Sequence, residues 1–249
     1  MRLPETPNRI EHGTTDSTNE RAFASLESGS ARHGDLHVAS FQTAGRGRLG
    51  RKWLAREGEG LLASLILKPE APSPPSVALT MATCLGIHDA VCALGVDARL
   101  KWPNDVLVGD AKLCGILVET RGFDSTEPHY VVGFGLNVKQ TNFPKEVVEE
   151  RPGTSLANEG VAVEVDDVLS RVWSAFRNRL ARIDDSSQLA GDYAAAARIE
   201  GAIRVRHGQE VTSGRLINLT VERGLEIERG DSTVTIPLEL VRGVERHDP

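Results

Sequence analysis

The stretch Gln42-Thr43-Ala44-Gly45-Arg46-Gly47-Arg48-Leu49-Gly50-Arg51-Lys52-Trp53 decides which fold this chain can adopt. Its Gly45-x-Gly47-x-x-Gly50 spacing satisfies the fingerprint of a parallel dinucleotide-binding sheet, which needs a helix opening behind the glycines and an acidic residue about 20 positions on. The context fails that test: Arg51 to Gly60 carries two further glycines, and the next apolar run, Leu61 to Leu67, ends in Lys68. Arginines at the variable positions would also crowd the tight turn. What is left is a loop whose glycines let the backbone approach a ligand and whose arginines match phosphate or carboxylate oxygens. It reads as a lid closing over an anion, within a sheet of another plan.

Leu61 to Leu67, bounded by Gly58-Glu59-Gly60 and Pro69, reads as a buried strand, and Leu36 to Phe41 as a shorter one delivering the chain into the lid. Before the lid, Ser17 and Glu20 have the spacing of a capping box ahead of Ala22, Phe23 and Leu26, so Ser17-Thr18-Asn19 is expected at a helix N-terminus, where free amides sit beside small polar side chains. Pro72 to Ser76 read as a linker and helix start, and Val77 to Leu94 as a core-packed helix whose His88 is expected to satisfy a backbone group. Arg99 to Glu119, with turn chemistry at Pro103-Asn104-Asp105 and Gly109-Asp110, is a β-meander. Lys112 stands beside Leu113, Cys114 and Ile116; drawn into a pocket it would need an anionic partner, and at an edge it would need none. Tyr130 to Val138 is the next strand, and period two puts Gly133, Gly135 and Asn137 on one face, open to a ligand or a closely packed helix.

Asp166 to Ile183 carries Leu169, Val172, Trp173, Phe176 and Leu180 on one stripe behind Asp166 as the expected cap, and a weaker helix spans about Gln188 to Arg198. Beyond Glu200-Gly201 the pattern changes to short alternating segments separated by turns. The expectation is α+β: residues 1–200 as a mixed sheet flanked by helices, and residues 201–249 as a small SH3-like β-barrel.

At 249 residues, with 26% charged and 40% hydrophobic residues, the chain is an ordinary globular one. Its net charge of -6 means that a basic cluster must be local, which argues for a site at Arg46 to Lys52 and against a nucleic-acid-binding surface; 4% aromatic residues argue the same way. Cys84, Cys92 and Cys114 match no zinc spacing and read as core thiols of a reducing compartment. The start lacks the apolar stretch of a signal peptide and no run is long enough to span a membrane, so a cytoplasmic protein is expected.

The unusual residues are cationic or neutral, with Asp105 as the one carboxylate among them, and they form no hydrolytic triad or paired-acid site. Such a set suits bringing two anions together. Unit charges ~4 Å apart repel by ~4 kcal/mol at an effective dielectric of 20, so joining a carboxylate to a phosphate requires cations first.

Gly45-Arg46-Gly47-Arg48-Leu49-Gly50-Arg51-Lys52-Trp53, Lys101-Trp102-Pro103-Asn104-Asp105, Lys112 to Glu119 and Gly133-Phe134-Gly135-Leu136-Asn137 occur in the order seen in biotin protein ligases, and over residues 10 to 245 the chain resembles that family. The resemblance implies a class II synthetase-like catalytic domain that makes biotinyl-5'-AMP from biotin and MgATP and passes the biotinyl group to a lysine of a biotin carboxyl carrier domain. It implies that Ser17, Thr18, Asn19, Gln42, Gly45, Arg46, Gly47, Arg48, Lys112 and Gly115 contact biotin or its adenylate, with Gly133 and Gly135 flooring the pocket. Arg48 and Lys112 would neutralise carboxylate and α-phosphate, while Arg51, Trp53, Lys101, Asn104, Asp105 and Asn137 would serve the nucleotide. ATP with Mg2+ is the expected cofactor and no protein metal site is. Lipoate protein ligases, which also make an acyl-adenylate, are the near rival. The residues before Asp16 are too few for a helix-turn-helix, so specific DNA binding is not expected. An edge strand leaves a homodimer open.

Overall fold

The structure is a computed structural model that describes residues 1–70, 73–121, 128–143 and 151–247. Strands β1 (Asn8–Glu11) and β2 (Thr14–Thr15) lead into α1 (Thr18–Glu27), followed by β3 (Asp35–Ala39), β4 (Phe41–Gln42) and β5 (Gly60–Leu67). Helix α2 (Ser76–Cys92) precedes the meander β6 (Ala98–Lys101), β7 (Asp105–Val108) and β8 (Ala111–Thr120), and then β9 (Tyr130–Asn137). Helices α3 (Val165–Leu180) and α4 (Ser186–Ala196) come next. The chain closes with β10 (Ala202–His207), β11 (Glu210–Thr220), β12 (Gly224–Arg229), β13 (Ser232–Ile236) and β14 (Val241–Arg246).

The larger sheet runs β1-β3-β5-β9-β8-β7-β6, parallel at β1–β3 and antiparallel elsewhere. β5 and β9 are its central neighbours, which is why every residue of both is buried. Period two divides their side chains. Leu61, Ala63, Leu65 and Leu67 of β5 join Val132, Phe134 and Leu136 of β9 in one apolar cluster with α2, α3 and α4. Each fully buried leucine there contributes roughly 1.5–3 kcal/mol. On the opposite face Ala22 and Phe23 of α1 pack on Ile66 and Val131. The paired rows next to these, Ser64–Gly133, Leu62–Gly135 and Gly60–Asn137, belong to the same face, and the site is built over them.

The fold is therefore α+β, a mixed sheet flanked by helices. The five-stranded antiparallel sheet β13-β12-β11-β10-β14 is consistent with the SH3-like unit. The apolar cluster is continuous from the large sheet into Ile203, Val205, Leu225 and Ile227, and Trp102 Nε1 donates to the Val241 carbonyl at 3.0 Å.

Several local expectations are corrected. The Ser17–Glu20 capping box does not form: Ser17 is the N-cap but makes no side-chain cap bond. The Gln42 side chain does that work across 24 residues, its Oε1 accepting from the Thr18 amide at 2.7 Å, while Glu20 pairs with Arg46 and Arg121. Asp166 is not a cap; it lies in the first turn of α3 and pairs with Arg9, and Glu164 is the N-cap. Among the described residues His88 meets no backbone group, its Nε2 lying 3.5 Å from Cys92 Sγ and its Nδ1 3.7 Å from Asp89. The Leu36–Phe41 segment splits, Phe41 and Gln42 pairing with β2 in a separate ribbon. In the small sheet, β11 (Glu210–Thr220) is one long strand with a bulge between Leu216 and Asn218. Of the linker Pro72 to Ser76, Pro72 lies outside the described residues. All three cysteines are free thiols, Cys84 and Cys114 buried and Cys92 half-buried.

At the β1–β3 edge, His12 and His37 stack with ring centroids 5.1 Å apart and His12 Nε2 2.9 Å from His37 Nδ1. Burial, and next the neighbouring His12, lower the pKa of His37 to about 4 from 6.5; Asp35 opposes this and Arg21 adds to it. Burial lowers His12 as well, with Arg21 adding and Glu11 and Asp16 opposing. A folded-state pKa below the unfolded value means that the unfolded chain holds more protons between pH 6.5 and 4. The stability from neutral His37 is thus complete above pH 6.5 and lost as the pH falls towards 4, by about 3 kcal/mol. Urea unfolding from pH 7 to pH 4 is expected to show this loss in the wild type and a flatter slope in His37→Gln; parallel slopes would remove His37 as its source.

Candidate active site

The neutral end of the site is the N-terminus of α1. Ser17, Thr18 and Asn19 are each only 4% exposed, held by a polar network rather than by apolar packing. Gln42 Oε1 accepts from the Thr18 amide and, at 3.1 Å, from its hydroxyl. Ser64 donates to Asn19 Oδ1 at 2.5 Å, and the Asn19 amide donates to Glu119 at 2.7 Å. Both ends of the Asn19 amide are fixed, which sets its orientation.

The glycines of β8 and β9 form the floor, and each is there because a neighbour takes the place of its side chain. A Cβ on Gly133 would lie 2.1 Å from Asn19 Oδ1, and one on Gly135 would lie 2.3 Å from the Trp53 ring. A Cβ on Gly115 would come within 3.0 Å of both Lys112 and Trp53. The packed-helix reading of the glycine face is met at Gly133, which α1 covers, while at Gly135 the lid's tryptophan takes the place of a side chain. Trp53 Nε1 is buried with no hydrogen-bond partner among the described residues.

The cationic end gathers around Lys112, whose Nζ lies 2.6 Å from Asp105 Oδ1 and 5.6 Å from the centroid of the Trp53 ring. Its placement depends on a bulge. β7 pairs Val106 with Cys114 but Leu107 with Lys112, so Leu113 is an extra residue in β8. Strict alternation back from Gly115 would turn Lys112 towards the apolar core; the bulge sends Leu113 there and Lys112 into the site. Asn104 is held by its amide to the Ile116 carbonyl at 2.6 Å and accepts from Arg48 at 3.4 Å. Burial, with Arg242 next, lowers the pKa of Arg48; burial, with Arg151 next, lowers that of Lys101. Cations disfavoured in this way gain from an approaching anion.

The lid folds back on itself through Gly47 N to Arg51 O (2.8 Å) and Trp53 N to Gly45 O (2.9 Å). At its tip Leu49 takes φ 56° and is 85% exposed, followed by Gly50 at φ 76°. Arg46 leaves the tip and bonds Glu20 at 2.7 Å and Glu119 at 3.0 Å.

These parts enclose one cavity of about 820 Å³. Of the residues proposed from sequence, all but Gly45 line it; Gly45 lies behind, where a Cβ would meet the Trp53 carbonyl at 2.5 Å. Asn137 lines it too, with its amide donating to the Thr154 and Lys112 carbonyls. Lys52 lines it as part of the expected cationic cluster, and Leu54, Ile116, Leu117, Phe134, Phe143, Arg151 and Gly153 line it without a role expected from sequence. Glu119 and Glu20 were missed as partners of the lid. Period two from Gly115 through Leu117 would have put Glu119 on the site face, whereas nothing in Arg151-Pro152-Gly153 marked it.

A family model described as the biotin/lipoate A/B protein ligase family matches residues 13–137. The chain is 33% identical over 232 residues to a biotin--[acetyl-CoA-carboxylase] ligase of Mycobacterium tuberculosis, with 89% of this chain and 84% of that protein covered. It is 34% identical over 173 residues to the bifunctional ligase/repressor BirA of Bacillus subtilis, covering 68% and 53%. The chain spans about half the length of the bifunctional Bacillus relatives it matches. Among solved structures, a biotin protein ligase from Aquifex aeolicus in complex with biotin and ATP matches with a TM-score of 0.79 at 28% identity, covering 97% of this chain and 100% of that one.

Proposed function

The chain belongs to the biotin/lipoate A/B protein ligase family, and from that premise we propose that it is an ATP-dependent biotin protein ligase acting on a biotin carboxyl carrier domain. The observation that carries this reading is a single cavity with a neutral polar end at Ser17, Thr18, Asn19 and Gln42 and a cationic end at Arg48, Lys101 and Lys112. A ureido ring offers two N–H donors and a carbonyl and suits hydroxyl and amide partners, whereas the dithiolane of lipoate has no N–H or carbonyl to offer them. That contrast favours biotin over the near rival.

In the first step a biotin carboxylate oxygen bonds the α-phosphorus of ATP while the bond to the β-phosphate oxygen breaks, giving biotinyl-5'-AMP and pyrophosphate. Lys112 and Arg48 lower the repulsion between the two anions and stabilise the charge that builds on the α-phosphate. Lys101 and Arg51 stand at the polyphosphate end, while Trp53, Asn104, Asp105 and Asn137 serve the nucleotide, the indole as a packing face for adenine. In the second step the acceptor lysine amine attacks the acyl carbon and AMP leaves. The lid keeps water from the mixed anhydride in between.

Among the described residues no group of three or more His, Cys, Asp or Glu is placed to hold a metal. On this reading Mg2+ enters with ATP, held chiefly by its phosphates. Among the described residues no helix is long and apolar enough to cross a membrane. The ligase unit is residues 1–200, the barrel is residues 201–249, and the cytoplasm is the compartment this reading assigns.

Adding biotin to protein, MgATP and pyrophosphatase is expected to release phosphate in a burst, and labelled biotin is then expected to become acid-stable on an added carrier domain. Release with lipoate and none with biotin would replace this reading by the rival.

A further inference from the structure

We propose that Glu119, together with Glu20, is a positioning residue that latches the lid over the acyl-adenylate by holding Arg46; this rests on the ligase reading above. The two carboxylates converge on one guanidinium: Arg46 Nη2 lies 2.7 Å from Glu20 Oε1 and 3.0 Å from Glu119 Oε2. All three side chains are partly sheltered, with 39%, 30% and 27% exposure for Arg46, Glu20 and Glu119. Charge-assisted bonds in such a setting are stronger than fully exposed ion pairs.

The latch ties three separate elements. Arg46 is on the lid, Glu20 is in the first turn of α1, and Glu119 is on β8, on the same face as Gly115 and opposite Val131 of β9. Both carboxylates are held from behind. Glu119 Oε2 also accepts from the Asn19 amide, so the group that secures the lid is the one that orients the neutral end of the cavity. Glu20 accepts from Arg121 at 2.6 Å, whose guanidinium carbon lies 4.0 Å from the centroid of the Phe23 ring.

The two arginines of the lid motif are thereby divided. Arg48 faces Asn104 and the cationic end, while Arg46 has donors committed to the protein body. Loss of the latch leaves Lys112 and Arg48 in place, so adenylate formation persists while its retention fails.

The test uses Glu20→Gln/Glu119→Gln, which keeps shape and leaves an amide oxygen to accept from Asn19. In the ligand-free protein, trypsin cleavage at Arg46 to Lys52 is expected to accelerate relative to the wild type. With biotin and ATP, labelled adenylate chased with unlabelled ligand is expected to escape about tenfold faster, a gain well above any fall in single-turnover pyrophosphate formation. Wild-type cleavage rates or wild-type adenylate retention would overturn the latch. So would a loss of formation as large as the gain in escape, which marks general damage to the site. A wild-type protein that releases no pyrophosphate with biotin would instead sink the ligase reading, and the trypsin comparison would still decide the latch.

Discussion

Lys112→Ala is expected to fold and to lose biotin-dependent pyrophosphate release by about 10²- to 10³-fold, the range for removing one preorganised electrostatic partner of a transition state. Folding is expected to survive because the structural work of this residue is done by its main chain. Its amide donates to Pro152 O at 2.7 Å, and its carbonyl accepts from Thr154 N at 3.0 Å and from Asn137. The side chain beyond them is 29% exposed and reaches Asp105 across the cavity wall. Its removal withdraws a cation from the joining anions and leaves the Asp105 carboxylate facing them. Adding Asp105→Asn to Lys112→Ala is therefore expected to restore part of the rate. Full activity in Lys112→Ala, measured with the melting temperature as a control for folding, would end the role given to Lys112.

Gly133→Ala is expected to raise the biotin KM by at least about tenfold and to destabilise the fold by about 1–3 kcal/mol, as overpacking of a filled interior does. The new Cβ would lie 2.1 Å from Asn19 Oδ1 and 2.8 Å from Asn19 Cγ. Asn19 has little room to yield, being 4% exposed and bonded to Ser64 at one end and Glu119 at the other. The N-terminus of α1 must move with it. Gly135→Ala provides the contrast: its Cβ would strike the Trp53 ring at 2.3 Å, but Trp53 is half-buried on the lid and can shift. That variant is expected to raise the ATP KM and spare the biotin KM. Equal effects of both variants on both substrates would show that the floor does not divide as its neighbours suggest.

Much of the site was legible because its signals are local. Glycine at every second position of Tyr130 to Val138 has few causes in a central strand, and three arginines among glycines have few causes in an acidic chain. The parts that escaped the sequence are the partners. Ser17 and Glu20 had the spacing of a capping box, yet Ser17 makes no cap bond, Gln42 takes the Thr18 amide from 24 residues away, and an arginine 26 residues on engages Glu20. Local spacing describes what a helix end can do alone, and tertiary neighbours with better geometry override it. Arg151 reaches the cavity through contacts that no periodicity encodes.

The sequence by itself determined the inventory: a lid of glycines and cations, a meander with its turns, a bare-faced strand and a small polar helix start. Period two and turn chemistry are properties of consecutive residues, so they can be read without knowing what lies across the sheet. Only the tertiary structure decided where the charges point. Strict alternation from Gly115 would bury Lys112 in the apolar layer, and the bulge at Leu113, visible only in the register against β7, turns it into the cavity. Likewise, only the folding of α1 and β8 onto one face brings Glu20 and Glu119 to Arg46, because an ion pair between distant residues depends on the path of the chain between them.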